Sequence, residues 1–438
     1  MTAASAQLRL AYFGDDFTGS TDALEFLSRA GLRTALFLAP PSRERLAALP
    51  GLDAIGVAGL TRSLPPGEME AVLRPAFAAL RELRPRHVHY KVCSTFDSSP
   101  TVGSIGRAIE VGAEIFPGRY VPLLVGAPAL GRFCAFGNLF ARLGIGSSGE
   151  IHRLDRHPAM SRHPVTPADE ADLRLHLTRQ TTKRIGLLDT EALDSGPAAS
   201  RAALGRALAA GAEIVLFDVM REEQLARIGG LIDELATERE PVFSVGSSGI
   251  EMALGAHWTE QGSVASHQVW PRATAVDRLL VLSGSCSPVT AGQIDWALAH
   301  GFVGVPLDAQ TPQIEPAVAA ARDALRDGKS PVVFTARGTP TGAPASAAAV
   351  GAALGAIARV LAESESLSRV LVAGGDTSSY AARALGIDAV EMIARLAPGA
   401  PLCRAHSGHR GVHGLEINFK GGQVGPADYF AAVRDGGA

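Results

Sequence analysis

The sequence predicts an α/β protein built as two three-layer α/β domains with mostly parallel sheets and a cleft between them. Short β-rich apolar runs alternate with longer helical patterns almost throughout, which implies right-handed βαβ crossovers. The 438 residues exceed the roughly 250–300 at which one core usually divides. Between 256 and 277 the periodicity lapses into polar residues and small turns, then the alternation restarts. The first domain is therefore placed at 1–255, a linker at 256–277 and the second domain at 278–438.

In the first domain, apolar runs at 8–13, 34–38, 54–59, 87–91 and 121–127 read as strands, followed by others at 184–188, 213–219 and 242–245. Helical patterns at 21–30, 68–83, 198–210 and 222–235 lie between them. Residues 147–167, rich in His, Arg and Pro, read as a long loop or cap, and loops of that length are often functional. The second domain resumes with strands at 278–283, 302–307, 331–336 and 369–373. Strands at 401–404 and 414–419 follow, set among Gly-rich turns. No fixed-period repeat is present, which excludes solenoids and propellers.

Composition narrows the function. A net charge of −3 with dispersed Lys and Arg lacks the basic stripe that nucleic-acid binding requires. The four cysteines are scattered and form no CxxC pair, which argues against a structural zinc site or a disulfide framework. The first ten residues lack the basic start and apolar core of a signal peptide. No apolar run reaches the ~18–20 residues of a membrane span. These observations point to the cytoplasm.

The first strand runs into Gly14-Asp15-Asp16-Phe17-Thr18-Gly19 ahead of a helix, and ligands of parallel sheets bind at such strand ends. Asp15, Asp16 and Thr18 offer groups for sugar hydroxyls, beside a helix N-terminus suited to an anion. Helix capping accounts for one of the two acids but not both. Arg62, after the 54–59 run, can fork a carboxylate through two parallel hydrogen bonds. Lys91, Ser94 and Thr95 add a cation and hydroxyls at a third strand end. Together these loops describe a pocket for a small polyhydroxy anion.

The second domain carries Gly-rich strand ends. Ser283-Gly284-Ser285-Cys286-Ser287 and Gly374-Gly375-Asp376-Thr377-Ser378 each precede a helix, and Lys420-Gly421-Gly422 opens a third turn. Paired glycines let a backbone approach phosphate, and the following helix presents N–H groups to it. Asp376 is suited to orient a magnesium-bound water. No Walker motif or protein-kinase signature is present.

In order and spacing these pieces, with Tyr90-Lys91, Cys93-Ser94-Thr95-Phe96-Asp97-Ser98 and Pro398-Gly399-Ala400-Pro401-Leu402-Cys403, resemble the four-carbon acid sugar kinase family, formerly a domain of unknown function. The resemblance spans essentially the whole chain. It implies an N-terminal domain that binds the sugar acid, a C-terminal domain that binds ATP, and phosphorylation of a terminal hydroxyl. The Cys-Ser-Thr-Phe-Asp-Ser string is more similar to the 3-oxo-tetronate 4-kinase branch, with kinases of the branched 3-oxo-isoapionate as a close rival; threonate kinases usually carry Asp-Ser-Thr there. Departures occur at Lys420-Gly421-Gly422-Gln423-Val424-Gly425, usually Lys-Ser-Gly-Asn-Phe-Gly, and at Gly103-Ser104-Ile105-Gly106, usually Gly-Asn-Ile-Gly.

The expected enzyme is an ATP-dependent phosphotransferase with an alcohol acceptor. Asp16 is its base or hydroxyl orienter, and Asp15, Thr18, Arg62, Lys91, Ser94, Thr95 and His163 hold the substrate. Ser283, Ser285, Ser287, Gly374, Gly375, Asp376, Thr377, Ser378, Gly421 and Gly422 cradle ATP with Mg2+. No protein metal site is expected, because His152, His157 and His163 are not spaced as helical zinc ligands. Expected partners are the sugar acid and ATP, with a homodimer as a further expectation. A two-lobed sugar-acid sensor is the alternative, and a dehydrogenase is disfavoured because no GxGxxG follows the first strand.

Overall fold

The computed structural model describes residues 7–144, 148–163, 165–237, 240–265, 270–338 and 345–437. Residues 266–269 of the expected linker, and 147 and 164 of the expected loop, lie outside the described residues. The chain forms two units, Met1–Thr34 with Ala39–Gln268 and Ala35–Leu38 with Val269–Ala438.

The sheet of the first unit runs Ala54–Ala58, Leu10–Gly14, His87–Lys91, Val242–Gly246, Val121–Leu124, Ile214–Phe217, Ile185–Leu188. Neighbouring strands are parallel throughout. Most of these strands are near-continuous apolar runs, as expected of a sheet covered on both faces. His87–Lys91 is different, since its sequence HVHYK puts His87, His89 and Lys91 on one buried face. Each polar side chain there has a partner. His87 Nε2 lies 2.8 Å from Asp233 Oδ1, His89 Nδ1 lies 2.6 Å from Glu251 Oε1, and Lys91 Nζ donates to Val92 O at 3.0 Å. Leu10–Gly14 sits between Ala54–Ala58 and His87–Lys91 in the sheet, so the loops leaving these three strands share one edge.

In the second unit the parallel order is Val303–Pro306, Pro331–Phe334, Leu279–Ser283, Arg369–Ala373, Glu416–Lys420. Ala400–His406, Ala389–Ala397 and Thr34–Phe37 continue it antiparallel. Leu279, Val281, Ile294, Val332, Leu371 and Phe430 form the core beneath these strands, all fully buried. Burying each large side chain contributes about 1.5–3 kcal/mol relative to exposure.

Several elements differ from expectation. An antiparallel sheet of Arg132–Ala135, Asn138–Arg142 and Ile151–Arg153 occupies residues read in part as loop. The strands are short, and Arg132, Arg142 and Arg153 within them obscure the apolar alternation that marks a strand. The 147–167 region also holds 3-10 turns at Leu154–Arg156 and Met160–Arg162. Helix Gly249–Glu260 runs into the expected linker, anchored by buried Trp258. Among the described residues, helix Ala347–Ser364 (18 residues, mean hydropathy 1.4) is long and apolar enough to cross a membrane by length and composition, contrary to expectation. Its eight alanines, together with Val350, Leu354, Ile357, Val360 and Leu361, give it that character. Half of it is buried, and a Cβ on its Gly355 would fall 2.4 Å from Ala381 O of helix Gly375–Leu385.

Candidate active-site constellations

In the first unit, Asp16 leaves strand Leu10–Gly14 in extended conformation and caps helix Phe17–Arg29. Its Oδ1 accepts from Gly19 N at 2.8 Å, and Thr18 Oγ1 donates to its Oδ2 at 2.7 Å. This cap starts the helix before the expected residue 21, so Thr18 and Gly19 lie in its first turn. Arg62, on the 3-10 turn Thr61–Ser63 after strand Ala54–Ala58, reaches both acids. Its Nε and Nη2 donate to Asp15 Oδ2 and Oδ1 at 3.1 and 2.7 Å, and its Nη1 and Nη2 donate to Asp16 Oδ2 and Oδ1 at 3.0 and 2.8 Å. The fork expected to take a substrate carboxylate is turned on the protein's own carboxylates.

The two acids are pushed apart. Burial raises Asp15, further helped by the charge of Asp16, and Arg62 offsets this only in part. Burial also acts to raise Asp16, but Arg62, Thr18, Lys91 and Gly19 N outweigh it and hold the carboxyl below its ordinary value. Asp16 is thus the firmly charged member and Asp15 the more basic one, an environment-set division of the kind used in acid–base sites.

Lys91 stands beside them. A Cβ on Gly19 would fall 2.5 Å from Asp16 Oδ1, 3.4 Å from Lys91 Nζ and 3.7 Å from Arg62 Nη2. Only a residue without a side chain leaves that shared space open. Lys91 Nζ lies 3.7 Å from Asp22 Oδ2, which also accepts from Ser248 Oγ, while Asp22 Oδ1 is buried without a partner among the described residues. Sequence reasoning missed both residues. Asp22 follows Thr18 by four positions, hence on one helix face, and that spacing was available; no motif announces Ser248.

Ser94 and Thr95 follow Lys91 and are largely buried, with Thr95 Oγ1 3.0 Å from Cys93 Sγ. Burial, then the charge of Asp97, pushes the Cys93 thiol up to about 11, so it stays protonated at neutral pH. His163 sits on a turn, where its Nδ1 accepts from Thr166 N at 3.1 Å. Thr166 lines a small hollow with Thr95 and Asp97. Asp15, Asp16, Thr18, Arg62 and Lys91 thus come together, whereas His163 is engaged in its own turn. Among the described residues, no three His, Cys, Asp or Glu side chains stand close enough to hold a metal ion.

In the second unit the three glycine loops meet. Gly284 N donates to Ala373 O at 3.2 Å and Gly374 N to Lys420 O at 2.9 Å. Gly374 has φ +124, and a Cβ there would fall 2.9 Å from Thr377 Oγ1 and 3.4 Å from Ser285 N. A Cβ on Gly422 would fall 2.8 Å from Ser285 Oγ and 3.0 Å from Ser287 Cβ. Helix Gly375–Leu385 starts earlier than expected, at Gly375, with no side-chain cap. Its first turn therefore carries Asp376, Thr377 and Ser378, and its leading N–H groups are available to an anion. Asp376 is exposed, Ser378 Oγ donates to Gly374 O at 2.6 Å, and Ser283 Oγ is buried without a partner among the described residues. Ser285 Oγ accepts from Ser287 N at 3.2 Å, and Ser287 caps helix Pro288–Ala299. Gly421 begins the turn closed by Val424 N to Gly421 O at 3.2 Å.

Lys420 itself was not singled out from sequence. It is fully buried, with Nζ donating to Thr290 Oγ1 at 3.0 Å, and Thr290 in turn donates to Gly422 O at 2.8 Å. Burial lowers its ammonium to about 7. A hollow of about 980 Å3 lined by Glu363, Arg410, His413 and Glu416 opens at the N-terminal ends of strands Arg369–Ala373 and Glu416–Lys420, away from these loops, and holds none of the expected residues.

Comparison with known proteins places these features in context. Residues 10–254 match the sugar-binding N-terminal domain family and residues 280–430 the nucleotide-binding C-terminal domain family. The chain is 47% identical to a 3-oxo-isoapionate kinase of Paraburkholderia graminis, over 99% of this chain and 96% of the relative. It is 30% identical to a 3-oxo-tetronate kinase of Pseudomonas savastanoi pv. phaseolicola, over 98% of each. A solved structure from Salmonella typhimurium LT2 matches with TM-score 0.76 and 27% identity, over 98% of this chain and 99% of that one. A Haemophilus influenzae protein matches in fold with TM-score 0.70 and 22% identity, over 96% and 98%.

Proposed function

The chain belongs to the four-carbon acid sugar kinase family, and from that premise we propose that it transfers the γ-phosphoryl group of ATP to a terminal hydroxyl of 3-oxo-isoapionate. The observation that carries the substrate is the 47% identity to a 3-oxo-isoapionate kinase across nearly the full length, against 30% to a 3-oxo-tetronate kinase. The cytoplasm, where ATP is abundant, is the compartment this reaction calls for.

Phosphoryl transfer needs an oriented hydroxyl, a proton acceptor and neutralised phosphate charge. Asp16, fixed by Arg62, Thr18 and Gly19 N, orients the attacking hydroxyl, with Asp15 as the more basic carboxylate beside it. As the new O–P bond forms, the bond to the bridging oxygen of ADP breaks and the hydroxyl proton passes to the carboxylate pair. Lys91, Ser94 and Thr95 contact the acid, and the loop holding His163 borders the site. The loops at Ser283–Ser287, Gly374–Ser378 and Gly421–Gly422 present N–H and hydroxyl groups to the phosphates, with Lys420 as a cation beneath them. The donor set fits Mg2+, which takes oxygen ligands, often one or two carboxylates together with substrate phosphates. Asp376 is the exposed carboxylate of that first turn, next to Thr377 in the chain, and would hold the ion through water. When bound, Mg2+ neutralises phosphate charge.

The test is ADP release from ATP and Mg2+ across 3-oxo-isoapionate, 3-oxo-tetronate, threonate and erythronate. Turnover with 3-oxo-isoapionate is expected. Binding of an acid without ADP release would instead make the chain a sensor.

A further inference from the structure

Arg62 is committed to Asp15 and Asp16, and Lys91 to Val92 O and Asp22. Arg62 is thus taken up by the protein's own carboxylates, and Lys91 already faces one, so neither gives the undivided charge suited to the carboxylate that distinguishes an acid sugar from a neutral one. The first unit holds another candidate. Arg132 begins strand Arg132–Ala135, just past the C-terminal end of parallel strand Val121–Leu124, and is 6% exposed. Among the described residues it has no carboxylate partner. Its hydrogen bonds leave from Nη1 alone and go to backbone carbonyls, of Leu130 at 3.2 Å, Gly131 at 3.4 Å and Arg142 at 3.0 Å. Its Nε is buried with no acceptor.

A guanidinium removed from water without a counter-charge is costly, so such a group normally has an anion to meet. The three carbonyls pin one end of the guanidinium and leave the Nε–Nη2 edge, whose two parallel N–H groups match a carboxylate. The groups that act on its charge are Cys93, Asp97 and Asp22, and its own charge acts on His157. Strand Val121–Leu124 pairs with Val242–Gly246, which pairs with His87–Lys91, and Arg132 bridges to Ala127 just past the first of these, so Arg132 stands at the same sheet end as Lys91 and the Cys93–Asp97 loop of the candidate sugar site. Asp22 Oδ1 and Asp97 Oδ1 are both buried without donors among the described residues. An unanswered cation and two unanswered acceptors together complement a molecule with a carboxylate at one place and hydroxyls at others. His157 accepts at Nδ1 from Ala159 N and Met160 N, and burial followed by the charge of Arg132 lowers its pKa, so it adds no second cation beside the guanidinium.

We propose that Arg132 binds the substrate carboxylate and is the residue that makes the site specific for acids. The identity of the acid rests on the kinase reading above, and the test separates the two. Steady-state kinetics of the full-length protein would compare 3-oxo-isoapionate with its neutral amide, in wild type, Arg132→Met and Arg132→Lys. Calorimetric titration of each compound without ATP accompanies them. The wild type should prefer the acid. Arg132→Met should raise KM for the acid about 30- to 100-fold, the loss of charged hydrogen bonds, leave KM for ATP unchanged, and erase the preference over the amide. Arg132→Lys should fall between. A purely structural role for Arg132 would lower turnover on acid and amide alike, and an unchanged acid-to-amide ratio in the variants overturns the proposal. If Arg132→Met does not fold, Arg132→Lys and the wild-type ratio decide, and a wild type indifferent to the carboxylate also overturns it. Acid binding that the Arg132 variants lose, without ADP release in the wild type, keeps Arg132 and removes the kinase. A wild type that neither binds nor turns over any acid removes both.

Discussion

Arg62 donates to Asp16 from Nη1 and Nη2 at 3.0 and 2.8 Å across 46 positions of sequence, and the same guanidinium holds Asp15 at 2.7 Å. One cation therefore binds two adjacent carboxylates, Asp15 buried and Asp16 part-buried, and fixes the strand end where the chemistry is placed. Such an arrangement is strong in geometry but leaves a large uncompensated charge if its centre is removed.

Arg62→Met should accordingly destabilise the protein by about 3–5 kcal/mol, the cost of breaking a buried ion pair, read from urea unfolding. Adding Asp15→Asn and Asp16→Asn to that variant should restore much of the stability but none of the activity. Stability restored together with activity would show that the carboxylates only serve the fold.

Asp16→Asn should lower kcat by about 10²–10⁴, the usual range for a positioned acid–base group, with KM for ATP little changed. Helix Phe17–Arg29 should persist, since Asn caps as well as Asp. Turnover within a few-fold of wild type would remove Asp16 from the mechanism.

Lys420 gives a pH signature. Its folded value of about 7 lies below the unfolded value of about 10.4, so between these values the unfolded chain binds more protons and stability rises with pH. Its stabilising contribution is complete above about 10.4 and is lost as pH falls through about 7. Lys420→Met should flatten that slope. Nucleotide phosphates should raise the ammonium again, so ATP binding at pH 8 should take up close to one proton, measured by calorimetry in buffers of different ionisation heat. Uptake unchanged in Lys420→Met would place the proton elsewhere.

Gly374→Ala tests the phosphate cradle. At φ +124 a Cβ would crowd Thr377 Oγ1 at 2.9 Å, and holding a non-glycine residue in such a region costs about 1–3 kcal/mol. The expected result is a lower unfolding midpoint and at least a tenfold rise in KM for ATP, with KM for the acid little affected. An unchanged KM for ATP would separate this loop from the nucleotide.

The parts of this account legible in the sequence are those with local signals. Asp15-Asp16-Phe17-Thr18-Gly19 and Gly374-Gly375-Asp376-Thr377-Ser378 lie between an apolar run and a helix, so composition over a few residues announces a strand-end site. The partner of Arg62 was not legible, because nothing local couples residue 62 to residue 16. Arg132 was hidden for a further reason: it begins a short antiparallel strand whose alternate residues are half-exposed, a pattern that reads as loop. Lys420 stood inside a turn already noticed, but a lysine's burial comes from the packing of helices and strands distant in sequence.

The most direct measurement is kcat/KM for 3-oxo-isoapionate beside 3-oxo-tetronate, by ADP release with ATP and Mg2+. The account predicts a single phosphate ester and a clear preference for the branched acid. Turnover on 3-oxo-tetronate alone, or on neither acid while ATP binds, would contradict it.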